Sequence, residues 1–198
     1  MMRKISYILP IIFLISISFL NIHASEKCEH KVKKLHDALL VNSQSEQKFK
    51  ENFLTLRDIN SVIFDSKKMI RIIYGRKWKK LEENQKEELQ LKFLDFLTYN
   101  YVKRFKNMNE AYFTEKKIEN IDDTRILIKT ELNIKGEIPI EISYLCSKNN
   151  KGNWKIFDVI IKGSISEIST KKSDFSSIID NEGADGLIKT LDSKIIFD

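Results

Sequence analysis

Histidine most often serves as general base or metal ligand near neutral pH, and the chain contains three, His23, His30 and His36. His30 and His36 are six residues apart, so they do not share the i, i+4 face that a helical metal pair needs. Beyond His36 there is no histidine to activate a Ser or Cys nucleophile. We therefore interpret His30 and His36 as surface histidines and predict no metal site and no catalytic residue.

Asp158 is the carboxylate whose position stands out, because an apolar segment surrounds it. A buried charge is costly unless it is paired, so a structural carboxylate bonded to a cation or to backbone N–H groups is one interpretation. The other is an exported enzyme that works through carboxylates. The nearby run from Gly163 to Ser166 lacks the second glycine of a nucleophile elbow, and no glycine-rich phosphate loop occurs. We predict a protein that is not an enzyme and needs no cofactor.

The elements that position these residues follow from apolar periodicity. Spacings of three and four predict helices over residues 28–41, 44–60, 66–74, 82–106, 173–180 and 184–193. Asp65 is expected to cap the third helix and Gly75 to end it. A period of two predicts strands over residues 112–120, 125–134, 138–146 and 154–163. Helices, an antiparallel meander and again helices indicate a single α+β domain, with helices packed on a sheet of about four strands.

The first 24 residues have the pattern of a secretory signal peptide. Arg3 and Lys4 precede a short apolar run, and Ala24 offers a cleavage site. We expect residues 1–24 to be removed and residues 25–198 to form the exported domain; an N-terminal anchor that is not cleaved is the alternative. The formal net charge of +6 is spread over interleaved Lys and Glu, which is typical of a solvated surface or one weakly attracted to anionic membranes. Without a basic block, nucleic acid is not an expected partner.

Cys28 and Cys146 are the two cysteines of the chain. An oxidising compartment would permit a disulfide between them, which would tie the first helix to a strand. Two unpaired, buried thiols are the alternative. The sequence leaves both open.

Three segments in a fixed order carry a family resemblance. They are residues 64–78, with Phe64, Asp65 and Trp78, then residues 152–166, and then residues 183–191. Together they resemble the MlaC-like (toluene-tolerance type) family of periplasmic phospholipid carriers, over roughly residues 64–191. The chain departs from the usual pattern at Ser164, where an apolar residue is commoner.

The resemblance implies an apolar cavity between sheet and helices that encloses phospholipid tails and leaves the head group outside. It also implies a monomeric periplasmic carrier that shuttles lipid between an outer-membrane lipoprotein complex and an inner-membrane ABC transporter with an MCE-type lipid-binding subunit. Such a system maintains the lipid asymmetry of the outer membrane. Two acyl chains carry about 30 methylenes, and exposing them to water costs on the order of 20 kcal/mol. The tails must therefore be buried almost completely.

The expected lipid-binding side chains are apolar or aromatic. They lie on the faces of helices and strands that we expect, from their periodicity, to point inward. They are Phe96, Leu97, Tyr101, Ile126, Ile128, Ile140, Ile142, Tyr144, Val159 and Ile161. The inward face of the last strand stays open, because Ile156 and Ile160 on its other face are as apolar as Val159 and Ile161.

Two other binding functions also fit the pattern. One is a secreted α+β domain that binds another small apolar ligand, such as a hopanoid or a solvent-like compound. The other is an adaptor with a solid core, which would purify without a ligand.

Overall fold

Four helices precede the sheet and two follow it. The computed structural model describes residues 27–45, 48–106, 108 and 110–197, so the predicted signal peptide lies outside the described residues. The described helices are α1 (Cys28–Gln44), α2 (Phe49–Ile63), α3 (Ser66–Tyr74), α4 (Glu83–Phe105), α5 (Glu167–Asn181) and α6 (Gly183–Ser193), with a 3-10 segment at Gly75–Lys80. The strands are β1 (Ala111–Asp122), β2 (Arg125–Ile134), β3 (Ile140–Lys148), β4 (Trp154–Ile161) and β5 (Ile165–Ser166).

The five strands form one antiparallel sheet in the order β1-β2-β3-β4-β5. The α+β class is as predicted, and the two-residue strand β5 is added to the four expected strands. β3 begins two residues later than predicted, directly after Pro139, which has no N–H to donate to a neighbouring strand. α5 begins six residues earlier than predicted, because the Ser166 hydroxyl caps it by accepting a 3.0 Å hydrogen bond from the Ser169 N–H.

Local signals fix both ends of α3. The Asp65 carboxylate accepts a 3.0 Å hydrogen bond from the Lys68 N–H, and Gly75 ends the helix with a φ of 74°. Both roles are as predicted. The Asp65 N–H in turn donates to the carbonyl of Ile156 at 2.8 Å, so the cap also fastens α3 to β4.

A register shift decides which side chains of β4 face the helices. Ile161 lies opposite Ile142, Val159 opposite Tyr144, and Ile156 opposite Cys146, with the shift between the last two pairs. Directly opposed residues of an antiparallel pair point to the same face of the sheet. The extra residue therefore places Ile156, Val159 and Ile161 on one face, although strict alternation would separate Ile156 from the other two.

The disulfide between Cys28 and Cys146 forms in this structure and joins the first residue of α1 to β3, with the two Cα atoms 6.5 Å apart. Both cysteines are fully buried. α1 is thereby held against one end of the sheet. Among the described helices, none combines the length and the apolar character needed to cross a membrane.

Candidate functional site

An apolar cavity of about 190 Å³ lies between the sheet and the helices. Helices α1, α4 and α5 and strands β2, β3 and β4 contribute its walls. The lining residues are Leu39, Tyr101, Arg104, Phe105, Met108, Leu132, Ile140, Ile142, Tyr144, Val159, Ile161 and Glu167. All but Arg104 and Glu167 present apolar or aromatic side chains, so the cavity suits a hydrocarbon ligand.

The structure brings six of the ten predicted side chains to this cavity, namely Tyr101, Ile140, Ile142, Tyr144, Val159 and Ile161. Phe96 and Leu97 line a second, much smaller pocket of about 20 Å³, together with Met69 and Phe93. Ile126 and Ile128 line neither pocket. They are buried in the packed part of the core.

The cavity lies at the end of the sheet away from the disulfide that fastens α1. Ile126 lies opposite Cys146, so it belongs to the end of the sheet that the disulfide closes. Leu132 lies opposite Ile140 at the far end of the same strand pair, and both line the cavity. The same sheet face is thus filled by side chains at one end and left partly empty at the other.

A polar cluster interrupts the apolar lining. The Glu167 carboxylate accepts hydrogen bonds from Nη1 of Arg104 at 2.6 Å and from the hydroxyl of Tyr101 at 3.4 Å. The Arg104 side chain is 46% exposed and that of Glu167 only 12%, so Arg104 reaches the cavity mouth. Burial, helped by the charge of Glu167, raises the pKa of Tyr101 well above its usual value. Tyr101 therefore remains a hydrogen-bond donor at neutral pH.

The expectation that His36 lies on the surface was wrong. Its Nε2 is 2.9 Å from the Tyr144 hydroxyl, and its ring stacks on Phe113 with the ring centroids 3.7 Å apart. Burial lowers the pKa of His36 from 6.5 to about 4, so the ring is neutral at physiological pH. A signal was present in the sequence, because His36 lies four residues after Val32 and three before Leu39 on the buried stripe of α1. His30 is exposed, as predicted.

Asp158 has the contacts of a structural carboxylate. It accepts hydrogen bonds from the N–H groups of Val159 at 2.8 Å and Ile168 at 3.1 Å, and from the Ser166 hydroxyl at 2.6 Å. These bonds tie β4 to the start of α5 and so position Glu167. Asp158 does not line the cavity.

Several cavity residues were missed by sequence reasoning. Leu39 and Phe105 lie on predicted helix stripes and Leu132 on a predicted strand face, so periodicity could have found them. Arg104 and Glu167 gave no such signal, since their pairing depends on how α4 and α5 meet. Among the described residues, no group of three or more His, Cys, Asp or Glu side chains is arranged to hold a metal ion.

Solved structures with a similar fold include a phospholipid-binding protein from Ralstonia solanacearum, determined in complex with a phospholipid. The TM-score is 0.70 and the identity 24%, over 85% of this chain and 97% of that chain. At this identity the likeness establishes the fold. A domain with a cystatin-like fold from Nostoc punctiforme matches with a TM-score of 0.26 and 12% identity, over 52% of this chain and 67% of that chain, too low to support an argument.

The family comparison covers the helices, the sheet and the cavity described above. The model of the MlaC protein family matches residues 29–193, which is most of the chain and nearly all of its described part. This chain belongs to the MlaC family.

Proposed function

We propose that this protein is a periplasmic carrier that binds a phospholipid with its acyl chains buried between the sheet and the helices. It is a binding protein rather than an enzyme, and it needs no cofactor. The lipid-binding residues are those that line the cavity, with Phe96 and Leu97 serving the smaller pocket beside it.

The observation that carries the proposal is the composition of the cavity wall. Ten of the twelve lining residues are apolar or aromatic, and the two charged ones lie together with Arg104 reaching solvent. An apolar interior with one charged pair, of which Arg104 reaches the mouth, fits an amphiphile whose tails enter and whose head group stays outside. Membership of the MlaC family and the likeness to a phospholipid-binding protein support this choice of ligand.

Size indicates that the cavity widens when it is loaded. Its volume of about 190 Å³ lies below the roughly 300–1,000 Å³ of sites for drug-sized ligands. A two-chain lipid needs the upper end of that range. The disulfide fixes α1 to the sheet and the bonds of Asp158 fix the start of α5 to β4, so we expect α4 to move away from the open end of the sheet during loading.

The proposed setting is the periplasm, reached through removal of residues 1–24. A disulfide between Cys28 and Cys146 suits such an oxidising compartment. In this role a monomer accepts and delivers lipid by docking to an inner-membrane ABC transporter with an MCE-type subunit and to an outer-membrane lipoprotein complex. ATP hydrolysis by the transporter supplies the energy, and the transfer maintains the lipid asymmetry of the outer membrane.

A second candidate is a carrier of a smaller apolar molecule, such as a hopanoid or a solvent-like compound. The specific observation in its favour is the volume of about 190 Å³, which needs less widening for a smaller ligand. The two candidates differ in the mass and chemistry of the bound molecule, so one measurement separates them.

That measurement is native mass spectrometry of the protein after expression in a bacterial periplasm and purification without detergent. One phospholipid per chain, released on unfolding and identified after solvent extraction, is the expected result. A smaller apolar compound in its place would favour the second candidate. Protein that is empty and also takes up no lipid from liposomes would contradict the proposal of a phospholipid carrier.

A further inference from the structure

The ion pair between Arg104 and Glu167 lies where the two apolar pockets meet. Both residues line the cavity of about 190 Å³ and also the smaller pocket of about 20 Å³. Their hydrogen bond of 2.6 Å therefore forms part of the wall that separates the two pockets. Each pocket is otherwise mainly apolar, so this pair is the polar boundary between two sites suited to hydrocarbon.

The two partners are held differently. Glu167 is the first residue of α5, where the helix dipole favours a negative charge, and it also accepts a hydrogen bond from Tyr101. Arg104 is in the last turn of α4, with nearly half of its side chain exposed to solvent. Glu167 would therefore keep favourable contacts if Arg104 turned away, whereas Arg104 is placed to exchange one anion for another.

We infer that Arg104 binds the phosphodiester of the lipid head group, and that Glu167 occupies this position on Arg104 in the unloaded protein. A guanidinium binds phosphate through two parallel N–H···O bonds, and here it would do so at the cavity mouth, where the head group stays in contact with water. This inference rests on the proposed function.

The exchange has a consequence for the second acyl chain. When Arg104 leaves Glu167, the polar boundary opens and the cavity becomes continuous with the smaller pocket. The second chain then has an apolar path along Met69, Phe93, Phe96 and Leu97. One ion pair thus couples recognition of the head group to the space available for the tails.

The test compares phosphatidylglycerol with diacylglycerol of the same acyl chains, titrated into delipidated protein. Arg104→Gln is expected to lower the preference for phosphatidylglycerol over diacylglycerol about tenfold, because one charge-assisted contact to phosphate is lost while the boundary between the pockets is changed equally for both lipids. Glu167→Gln is expected to tighten phosphatidylglycerol binding, because the competing carboxylate is removed while the shape and the acceptor for Tyr101 remain. Arg104→Lys should retain part of the preference for phosphate.

Lys92→Gln is the matched control. Lys92 lies in α4, as Arg104 does, and its Nζ forms an ion pair with Asp192 of α6 at 2.7 Å. The substitution breaks this ion pair, but Lys92 lines neither pocket. It should leave the binding of both lipids unchanged. Urea unfolding of every variant checks that it is folded before lipid binding is compared.

Weaker phosphatidylglycerol binding by Arg104→Gln together with tighter binding by Glu167→Gln would indicate that phosphate replaces Glu167 on Arg104. Equal weakening of both lipids by Arg104→Gln, or weaker phosphatidylglycerol binding by Glu167→Gln, would show that the pair only holds α4 to α5 and would overturn the inference. If inorganic phosphate binds wild-type protein as tightly as phosphatidylglycerol does, Arg104 is a site for the free anion. That result would overturn the proposed role in binding the head group. Wild-type protein that binds neither lipid would contradict the proposed function, and the inference with it.

Discussion

Nε2 of His36 in α1 and the hydroxyl of Tyr144 in β3 are joined by a buried hydrogen bond of 2.9 Å, although 108 residues separate them in the chain. His36 also stacks on Phe113 of β1, and Tyr144 lines the cavity. Burial raises the pKa of Tyr144 above its usual value, so the phenol stays protonated. This contact therefore fixes the distance between the first helix and the sheet beside the cavity.

The first prediction is that His36 makes the protein less stable in acid. The unfolded histidine takes up a proton near pH 6.5, whereas the folded one does so only near pH 4. Between these values the unfolded state binds more protons, so the contribution of His36 to the free energy of unfolding should be nearly constant above about pH 6.5 and fall by about 3 kcal/mol as the pH approaches 4.

Urea unfolding at a series of pH values measures this effect. His36→Gln should remove that share of the pH dependence. His30→Gln changes an exposed histidine of the same helix and should retain it. Identical pH profiles for wild type and His36→Gln would contradict the prediction.

The second prediction concerns the disulfide. Reduction, or replacement of both cysteines by alanine, should lower the free energy of unfolding by about 2–5 kcal/mol, since the Cys28–Cys146 bond closes a loop over a separation of 118 residues. Denaturant midpoints with and without reductant measure the change. The double alanine variant should not respond to reductant. A wild-type protein whose midpoint is the same in both conditions would show that the bond contributes no stability.

The third prediction is that a charge in the cavity prevents lipid loading. Ile140→Glu places a carboxylate among Ile142, Ile161 and the other lining residues, where desolvation is costly unless the ligand space fills with water. Co-purified lipid should be lost while circular dichroism still shows a folded domain.

Ile138→Glu is the matched control, because Ile138 lies two residues away and is 87% exposed. It should load lipid as wild type does. Full loading of Ile140→Glu would rule out this cavity as the ligand site.

The fourth prediction distinguishes a structural role of the Asp158 carboxylate from a catalytic one. Asp158→Asn keeps one acceptor oxygen but weakens the bonds from Val159, Ser166 and Ile168, so the free energy of unfolding should fall by about 1–3 kcal/mol. Lipid loading should persist, since Asp158 does not line the cavity. Asp123→Asn, at an exposed aspartate, should change neither stability nor loading. Loss of a defined catalytic activity with the fold intact would support the enzyme alternative.

Elements with strong local signals could be predicted closely from the sequence. The bounds of α3 agree with the Asp65 cap and the Gly75 stop, and β2 spans the predicted residues 125–134. The start of α5 was missed, because Ser166 and Glu167 follow a strand and a short turn and carry little helical periodicity before residue 173. Capping by Ser166 became evident only with its bond to Ser169.

Periodicity found the apolar face that surrounds the cavity but not the extent of the empty space. Ile128 and Ile142 both belong to inward faces of neighbouring strands, yet only Ile142 lines the cavity. An alternating pattern reports which face is buried. Whether the buried space is filled depends on how the helices pack above it, which the alternating pattern of a strand does not report.

The sequence by itself determined the α+β class, the order of helices and strands, and the apolar inner faces, because these depend on neighbours a few residues apart. Tertiary structure decided three other features: the register shift between β3 and β4 that brings Ile156 to the face of Val159, the contact of His36 with Tyr144, and the pairing of Arg104 with Glu167. Each joins residues from different elements, so each depends on how helices and strands pack. The stabilising free energy of such a contact depends on a partner residue that no local sequence pattern identifies.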